Sequence, residues 1–164
     1  IFNVSMGSGM SSRLFQKIRE ENGLAYSIFS MADSYKDCYS WGVSLATTPK
    51  RLEKATCLIQ KEIDLFLKEG FFPGELERTK QNIIGAMKIN ADSTDKRTLR
   101  LAEQQLHLGH YCSMQDIEDG INSVSKEQVV EMMRLVLKND FWAAAVVQPV
   151  SAKTPTALNE IRFH

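Results

Sequence analysis

The stretch GSGMSSRLFQKIREENGLAYS, residues 7–27, constrains the fold more strongly than any other segment. Its middle carries apolar residues at the spacing of one helical face, namely Leu14, Phe15 and Ile18. Ser11 or Ser12 can cap the start of this helix, and Gly23 can end it in the left-handed conformation. An apolar segment follows from Leu24. The stretch therefore predicts a loop, a helix, a tight turn and a strand in direct succession.

Two side chains in this stretch are capable of chemistry, Arg19 near the predicted helix end and Tyr26 inside the predicted strand. On residue type alone, a surface arginine and a half-buried strand tyrosine are the more common roles. The glycine turn that contains Gly9 lacks the lysine of a phosphate-binding loop and is too short for one.

The rest of the chain continues with a second strand and then a run of helices. The predicted strands are residues 24–31 and 39–47, joined by a polar loop. Helical spacing then covers residues 49–69, 73–91, 96–109, 114–123 and 126–138, and the third of these helices has its apolar face at Leu99, Ala102 and Leu106. Residues 141–148 form a continuous apolar run that predicts a buried late strand.

This order of elements indicates an α+β fold. We expect an antiparallel hairpin that shares a sheet with the late strand, with the helices packed on one face of that sheet. The apolar opening at residues 1–6 resembles the tail of a longer segment, so we expect the chain to lack an N-terminal strand and part of its first helix. Residues 1–149 then form one domain, and residues 150–164 form a C-terminal tail.

Composition excludes several classes of protein. Twenty Lys and Arg residues balance twenty Asp and Glu residues without a basic block, which argues against nucleic acid or a membrane as partner. No apolar run approaches the roughly 18 residues of a membrane helix. Three cysteines at unrelated spacings predict reduced, mostly buried thiols in a reducing compartment, although one disulfide remains an alternative. We therefore expect a cytoplasmic location, with the periplasm or an organelle as alternatives.

The residues alone do not predict a complete active site. The one close group of metal-ligand types is His107, His110 and Cys112, but Gly109 ends the helix between the histidines and no carboxylate lies at a matching position. No HxxEH motif and no serine or cysteine elbow occurs. The carboxylate pairs Glu20–Glu21 and Glu75–Glu77 lie on faces that we expect to be solvated.

The segment GSGMSSRLFQKIREENGLAYSIFS resembles the signature of the C-terminal domain of the pitrilysin/insulinase family of zinc metallopeptidases, which includes the mitochondrial processing peptidase. The glycine turn, the MSSRL helix start and the GLAY strand entry occur in the same order. The resemblance is close over about the first 50 residues. The order of the remaining elements, including the PGEL helix start at residues 73–76, is consistent with it to Pro149.

The resemblance implies a division of labour between two halves of an enzyme. In this family each half is a pair of similar α+β domains, and the two halves close around an unfolded peptide. The zinc ligands and the glutamate base belong to the first domain of one half, and the opposing half supplies an arginine and a tyrosine seven residues apart. Arg19 and Tyr26 match that spacing. They are the implied catalytic and substrate-binding residues, and Gly9 is a further implied substrate-binding position.

In this resemblance the chain is part of a zinc endopeptidase and is inactive by itself. Tyr26 is expected to donate a hydrogen bond to the scissile carbonyl, and Arg19 to bind a peptide carbonyl or to orient Tyr26. Zinc is expected outside this chain, on an N-terminal domain or a partner subunit, in a dimeric complete enzyme that cleaves peptides. The short glycine turn favours a bacterial-type peptidase. The alternatives are a non-catalytic scaffold subunit and a module that binds peptides without cleaving them.

Overall fold

The computed structural model of the chain describes residues 1–35, 37–137 and 143–149. The predicted strand residues 141–142 and tail residues 150–164 lie outside this description. The elements in chain order are α1 (Phe2–Gly7), a π-helix (Phe15–Glu21), β1 (Ser27–Ser34), β2 (Tyr39–Ala46), α2 (Pro49–Glu69), α3 (Glu75–Ala91), α4 (Thr94–Leu108), α5 (Met114–Ser123) and α6 (Lys126–Leu137). The predicted α+β class is confirmed.

The two strands form an antiparallel hairpin with helices against one face. Ile28 of β1 pairs with Leu45 of β2, and the buried Ser30 pairs with Val43, so these side chains share the face toward the core. The core beneath that face draws its largest fully buried apolar side chains from α1, the π-helix and the residue before it, α2 and α6: Met6, Leu14, Ile18, Ile63, Phe66 and Leu137. The opposite face of the hairpin is partly exposed at Phe29 and Met31.

The prediction of a late strand is wrong for the residues that the structure describes. Residues 143–149 pair with neither strand, and the sheet of the described residues consists of β1 and β2. Val147 is fully exposed. An apolar run becomes a strand only where a neighbouring strand offers free backbone groups in register, and residues 143–149 form no such pairing with β1 or β2.

Helix starts follow the local capping signals. Ser125 and Gln128 exchange hydrogen bonds at the start of α6, where the Gln128 amide donates to Ser125 Oγ at 3.2 Å and the Ser125 amide donates to Gln128 Oε1 at 2.8 Å. The predicted start of α3 at Pro73 is wrong by two residues. Gly74 has a φ of 70°, a left-handed conformation that cannot belong to the helix, so α3 begins at Glu75.

Two predictions of burial are also wrong. The apolar face of α4 is exposed, since Leu99 and Leu106 face solvent and Gln104 is the one buried residue of that helix. Cys38 and Cys57 are exposed and Cys112 is half-buried, and all three are free thiols. Cys57 lies outside the buried stripe of α2. None of the helices in the described part of the chain is long and apolar enough to cross a membrane.

Helix α1 approaches β1 so closely that Gly7 has no room for a side chain. The Ser30 hydroxyl donates to the Asn3 carbonyl at 3.1 Å, and the Trp41 indole donates to Asn3 Oδ1 at 3.0 Å. A Cβ atom on Gly7 would lie 2.6 Å from the Ser30 backbone nitrogen, far inside van der Waals contact. This contact holds α1 against the strand that Tyr26 precedes.

We therefore expect Gly7→Ala to lower the free energy of unfolding by about 1–3 kcal/mol, the usual cost of overpacking a core. Urea denaturation of the two proteins measures this difference. Gly85→Ala is the matched control. A Cβ atom at position 85 meets nothing within 4 Å, and this glycine lies in the middle of α3. This variant should stabilise the protein slightly. A Gly7→Ala protein as stable as the parent would contradict the close approach.

Candidate functional site

Arg19 lies on a π-helix rather than on the predicted α-helix. The π-helix spans Phe15–Glu21, and at its end the Leu24 amide donates to the Ile18 carbonyl at 2.9 Å. Gly23 has a φ of 58° and its amide donates to the Arg19 carbonyl at 3.0 Å, which confirms the predicted left-handed cap. Short π-helical segments are rare and occur frequently at functional sites.

The turn between Arg19 and Tyr26 is held from outside by the junction of β2 and α2. Arg51 donates from its guanidinium to the Gly23 carbonyl at 2.8 Å, and the Thr47 hydroxyl donates to the Leu24 carbonyl at 2.5 Å. The strand begins at Ser27 rather than at the predicted residue 24, so Tyr26 immediately precedes it. The Tyr26 amide still donates to the Ala46 carbonyl at 3.2 Å. The backbone that carries both side chains is therefore restrained on each side of the turn.

The structure brings Arg19 and Tyr26 into contact. The guanidinium carbon of Arg19 lies 5.4 Å from the centre of the Tyr26 ring and 4.8 Å from the centre of the Phe15 ring. Its Nε atom is 3.7 Å from Glu20 Oε1, and its side chain is 39% exposed. Two rings that each attract the cation restrict the positions of the arginine head while leaving it accessible.

Tyr26 presents its phenol to solvent. The residue is 83% exposed, and no group in the described part of the chain hydrogen-bonds its hydroxyl. A phenol can donate a hydrogen bond to an incoming oxygen. The pair thus offers one neutral donor and one cationic donor side by side, an arrangement suited to binding carbonyl or carboxylate oxygens.

Gly9 contributes to a separate turn. It has a φ of 99°, and its carbonyl accepts hydrogen bonds from the Ser12 hydroxyl at 2.7 Å and the Ser12 amide at 3.2 Å. No contact among the described residues joins Gly9 to Arg19 or Tyr26. Its substrate-binding role stays a prediction, as do the catalytic roles of Arg19 and Tyr26.

Sequence reasoning missed a buried ion pair between Arg13 and Glu75. Arg13 Nε donates to Glu75 Oε1 at 2.8 Å, and Arg13 Nη2 donates to Glu75 Oε2 and, at 2.8 Å, to the Gly70 carbonyl. The Ser5 hydroxyl and the Phe72 amide also donate to this carboxylate, at 2.5 and 2.7 Å. The expectation that Glu75 is solvated is therefore wrong.

Burial would raise the pKa of the Glu75 carboxyl, but the hydrogen bonds from Arg13, Ser5 and the Phe72 amide outweigh burial and hold the pKa below its usual range. The Arg13 guanidinium also lies 3.9 Å above the Phe72 ring. The pair connects α1, the segment before the π-helix and the loop before α3. Phe71 and Phe72 are adjacent in that loop, and these apolar residues were the sequence signal that the Glu75 carboxylate is buried.

The described residues contain no group of three metal-ligand side chains. His110 Nε2 lies 3.5 Å from Cys112 Sγ, and His110 Nδ1 lies 3.0 Å from the Leu108 carbonyl. No hydrogen bond joins His107 to either side chain within the described structure. The geometry therefore brings together two of the three candidate ligands.

Comparison with known proteins supports one family. Residues 1–83 match the family model described as the peptidase M16 inactive domain. The uncharacterized zinc protease YmxG of Bacillus subtilis is 31% identical over 149 residues, which cover 91% of this chain and 36% of that protein. Other relatives named as zinc proteases are matched over a similar share of their length, so the chain spans about a third of these relatives.

Two crystal structures share the fold. A conserved protein from Enterococcus faecalis V583 superposes with a TM-score of 0.73 at 21% identity, over 81% of this chain and 31% of that chain. A peptidase M16 inactive domain from Pseudomonas fluorescens superposes with a TM-score of 0.68 at 22% identity, over 81% of this chain and 31% of that chain. At these identities the superpositions support the fold and carry no residue roles.

Proposed function

Because the chain belongs to the peptidase M16 family as a C-terminal domain of the type described as inactive, we propose that it binds substrate and supports the transition state in a zinc endopeptidase. The contact between Arg19 and Tyr26 carries this proposal. It is the one place in the described structure where an accessible cation and an unpaired phenol are held together on a restrained backbone.

The steps that we assign to this chain are binding and hydrogen-bond donation. As a peptide carbonyl is attacked, negative charge develops on its oxygen, and a donor fixed beside that oxygen stabilises the transition state. We assign this donation to the Tyr26 hydroxyl. The Arg19 guanidinium binds a second carbonyl of the peptide, and the Phe15 ring keeps it beside Tyr26.

Zinc does not fit the residues present here. Since the described part of the chain lacks three clustered ligands, no step of this proposal uses a metal held by this chain. The names of the relatives support zinc in the complete enzyme. We propose that an N-terminal domain or a partner subunit holds it, and that this unit and the present chain enclose an extended peptide between them.

The proposal is tested on the full-length gene product with a quenched fluorescent peptide and a measurement of bound zinc. We expect cleavage that is lost on treatment with a zinc chelator and restored by zinc but not by magnesium. The 164-residue chain should not cleave the peptide and should not bind stoichiometric zinc. A full-length product that holds zinc and leaves a panel of unstructured peptides intact would contradict the proposal and favour a scaffold role.

A further inference from the structure

The segment between α4 and α5 folds back along α4. Gly109 ends α4 in the left-handed conformation, with a φ of 72°. The buried Gln104 side chain then binds the Cys112 backbone twice. Its Nε2 atom donates to the Cys112 carbonyl at 3.1 Å, and the Cys112 amide donates to its Oε1 atom at 3.2 Å. Since the next residue, Ser113, caps the start of α5, the backbone of Cys112 is held on both sides.

The Cys112 thiol lies beside a histidine whose ring is itself oriented. His110 Nε2 is 3.5 Å from Cys112 Sγ, and His110 Nδ1 is 3.0 Å from the Leu108 carbonyl. A carbonyl oxygen can only accept a hydrogen bond, so in the neutral ring Nδ1 carries the proton and Nε2 presents its lone pair to the thiol. A nucleophile, a base within hydrogen-bond reach and a third group that orients the base are the arrangement that activates a nucleophile.

We propose that Cys112 and His110 are a nucleophilic pair that exchanges with low-molecular-weight disulfides, which makes Cys112 a site of reversible thiolation. Cys112 Sγ attacks one sulfur of the disulfide and forms a new S–S bond, while its proton passes to His110 Nε2. The S–S bond of the small disulfide breaks, and its second sulfur leaves as a thiolate that takes the proton from His110. Cys112 is oxidised and the leaving sulfur is reduced, so the disulfide is the only oxidant required.

The pair distinguishes Cys112 from the other two thiols of the chain. Cys38 and Cys57 are exposed, whereas Cys112 is half-buried. Among the described residues, no hydrogen bond joins a histidine to Cys38 or Cys57. Exposure alone therefore predicts that Cys38 and Cys57 react faster. The pair predicts the reverse order, because the thiolate is the attacking species and an ordinary thiol is only a few per cent ionised at neutral pH.

A metal site explains the pair less well. Structural zinc takes four ligands, and the described residues place no third metal-ligand side chain beside His110 and Cys112. Proton transfer needs only the two side chains that are present. The inference concerns a segment distant in sequence from Arg19 and Tyr26, and it does not depend on peptidase activity.

The rate of thiolation in the folded full-length gene product tests the proposal. The protein is treated with glutathione disulfide at neutral pH, the reaction is stopped with acid, and mass spectrometry quantifies the peptide that carries each cysteine. We expect glutathione to add to Cys112 about tenfold faster than to Cys38 or Cys57, and dithiothreitol to release it. In urea the three rates should converge, because unfolding separates the pair. A rate at Cys112 no higher than that at Cys57 in the folded protein would overturn the proposal.

A matched pair of histidine variants identifies the base. His110→Gln removes the ring nitrogen that accepts the thiol proton, so it should slow thiolation of Cys112 about tenfold. The Tm should not change, because the residue is exposed. His107→Gln, three residues earlier and also exposed, should leave the rate unchanged. The rate at Cys57 should be the same in all three proteins, which controls for loss of structure. Equal rates at Cys112 in the parent and His110→Gln would show that His110 is not the base.

Discussion

Tyr26→Phe is expected to lower kcat for peptide cleavage by the proposed zinc endopeptidase about 100-fold or more, with little change in KM. The estimate is the usual cost of removing one donor from a developing oxyanion. Phenylalanine keeps the ring that lies beside the Arg19 guanidinium at 5.4 Å and removes the hydroxyl alone. Because that hydroxyl has no partner within the described structure, its loss should not change the Tm. Steady-state kinetics with a quenched peptide measure the effect.

Tyr35→Phe is the matched control for this experiment. Tyr35 is also largely exposed, at 63%, but it lies at the far end of β1 from the Arg19 contact. Its replacement should leave kcat and KM unchanged. If Tyr26→Phe and Tyr35→Phe retain the same kcat, Tyr26 is not the donor. A rise in KM with an unchanged kcat would instead assign Tyr26 to ground-state binding.

The elements that sequence reasoning predicts well are those with local causes. The left-handed cap at Gly23 depends on one residue without a side chain, and the start of α6 depends on Ser125 and Gln128, three positions apart. The spacing of Arg19 and Tyr26 across that cap is also local. A helix end, a tight turn and a strand entry make the approach of the two side chains predictable from a short segment, although Arg51 and Thr47 also restrain the turn from outside.

The π-helix is a local feature that sequence reasoning missed. Leu14, Phe15 and Ile18 suit an α-helix and a π-helix almost equally, because the two differ by one residue in their hydrogen-bond spacing. The hydrogen bond from Leu24 to the Ile18 carbonyl is formed at the end that Arg51 and Thr47 restrain. The π-helix therefore occurs beside contacts from residues distant in sequence, and helical periodicity does not predict those contacts.

The other errors concern partners distant in sequence. The strand predicted at residues 141–148 and the face of α4 that carries Leu99, Ala102 and Leu106 both have apolar patterns. Such a pattern predicts that a segment is buried, but it does not predict which surface covers that segment. In the described structure residues 143–149 pair with no strand, and Leu106 is 81% exposed. An apolar pattern can be recognised in one segment, whereas burial also requires a second segment that packs against it.

The Arg13–Glu75 pair also joins residues that are distant in sequence, so its burial could not be predicted from either residue alone. Of the variants proposed here, removal of one partner of this pair should lower stability the most. Glu75→Gln is expected to lower the free energy of unfolding by about 3–5 kcal/mol, because it leaves the Arg13 charge buried without its counterion. Urea denaturation measures the change. Glu77→Gln, two residues further along α3 and exposed, should leave stability unchanged. The double variant Arg13→Met with Glu75→Gln should be more stable than Glu75→Gln.

The pH dependence of this loss gives an independent test. The pKa of Glu75 is lower in the folded protein than its ordinary value of about 4.3, so below that pH the unfolded state binds the proton first. The stability due to the carboxylate is therefore complete above about pH 4.3 and is lost as the pH falls through the folded pKa. The difference in free energy between the parent and Glu75→Gln should shrink over this range.

Glu62 acts with the opposite sign in the same pH range and must be separated from Glu75. Burial raises the pKa of Glu62, and the nearby charges of Lys17 and Arg13 oppose that rise. Its ionisation therefore costs stability as the pH rises. Burial, the largest cause, is present in both the parent and Glu75→Gln and cancels in their difference, whereas the smaller repulsion from the Glu75 charge is absent from Glu75→Gln. A difference that stays constant from pH 7 to pH 3 would show that the Glu75 charge does not stabilise Arg13.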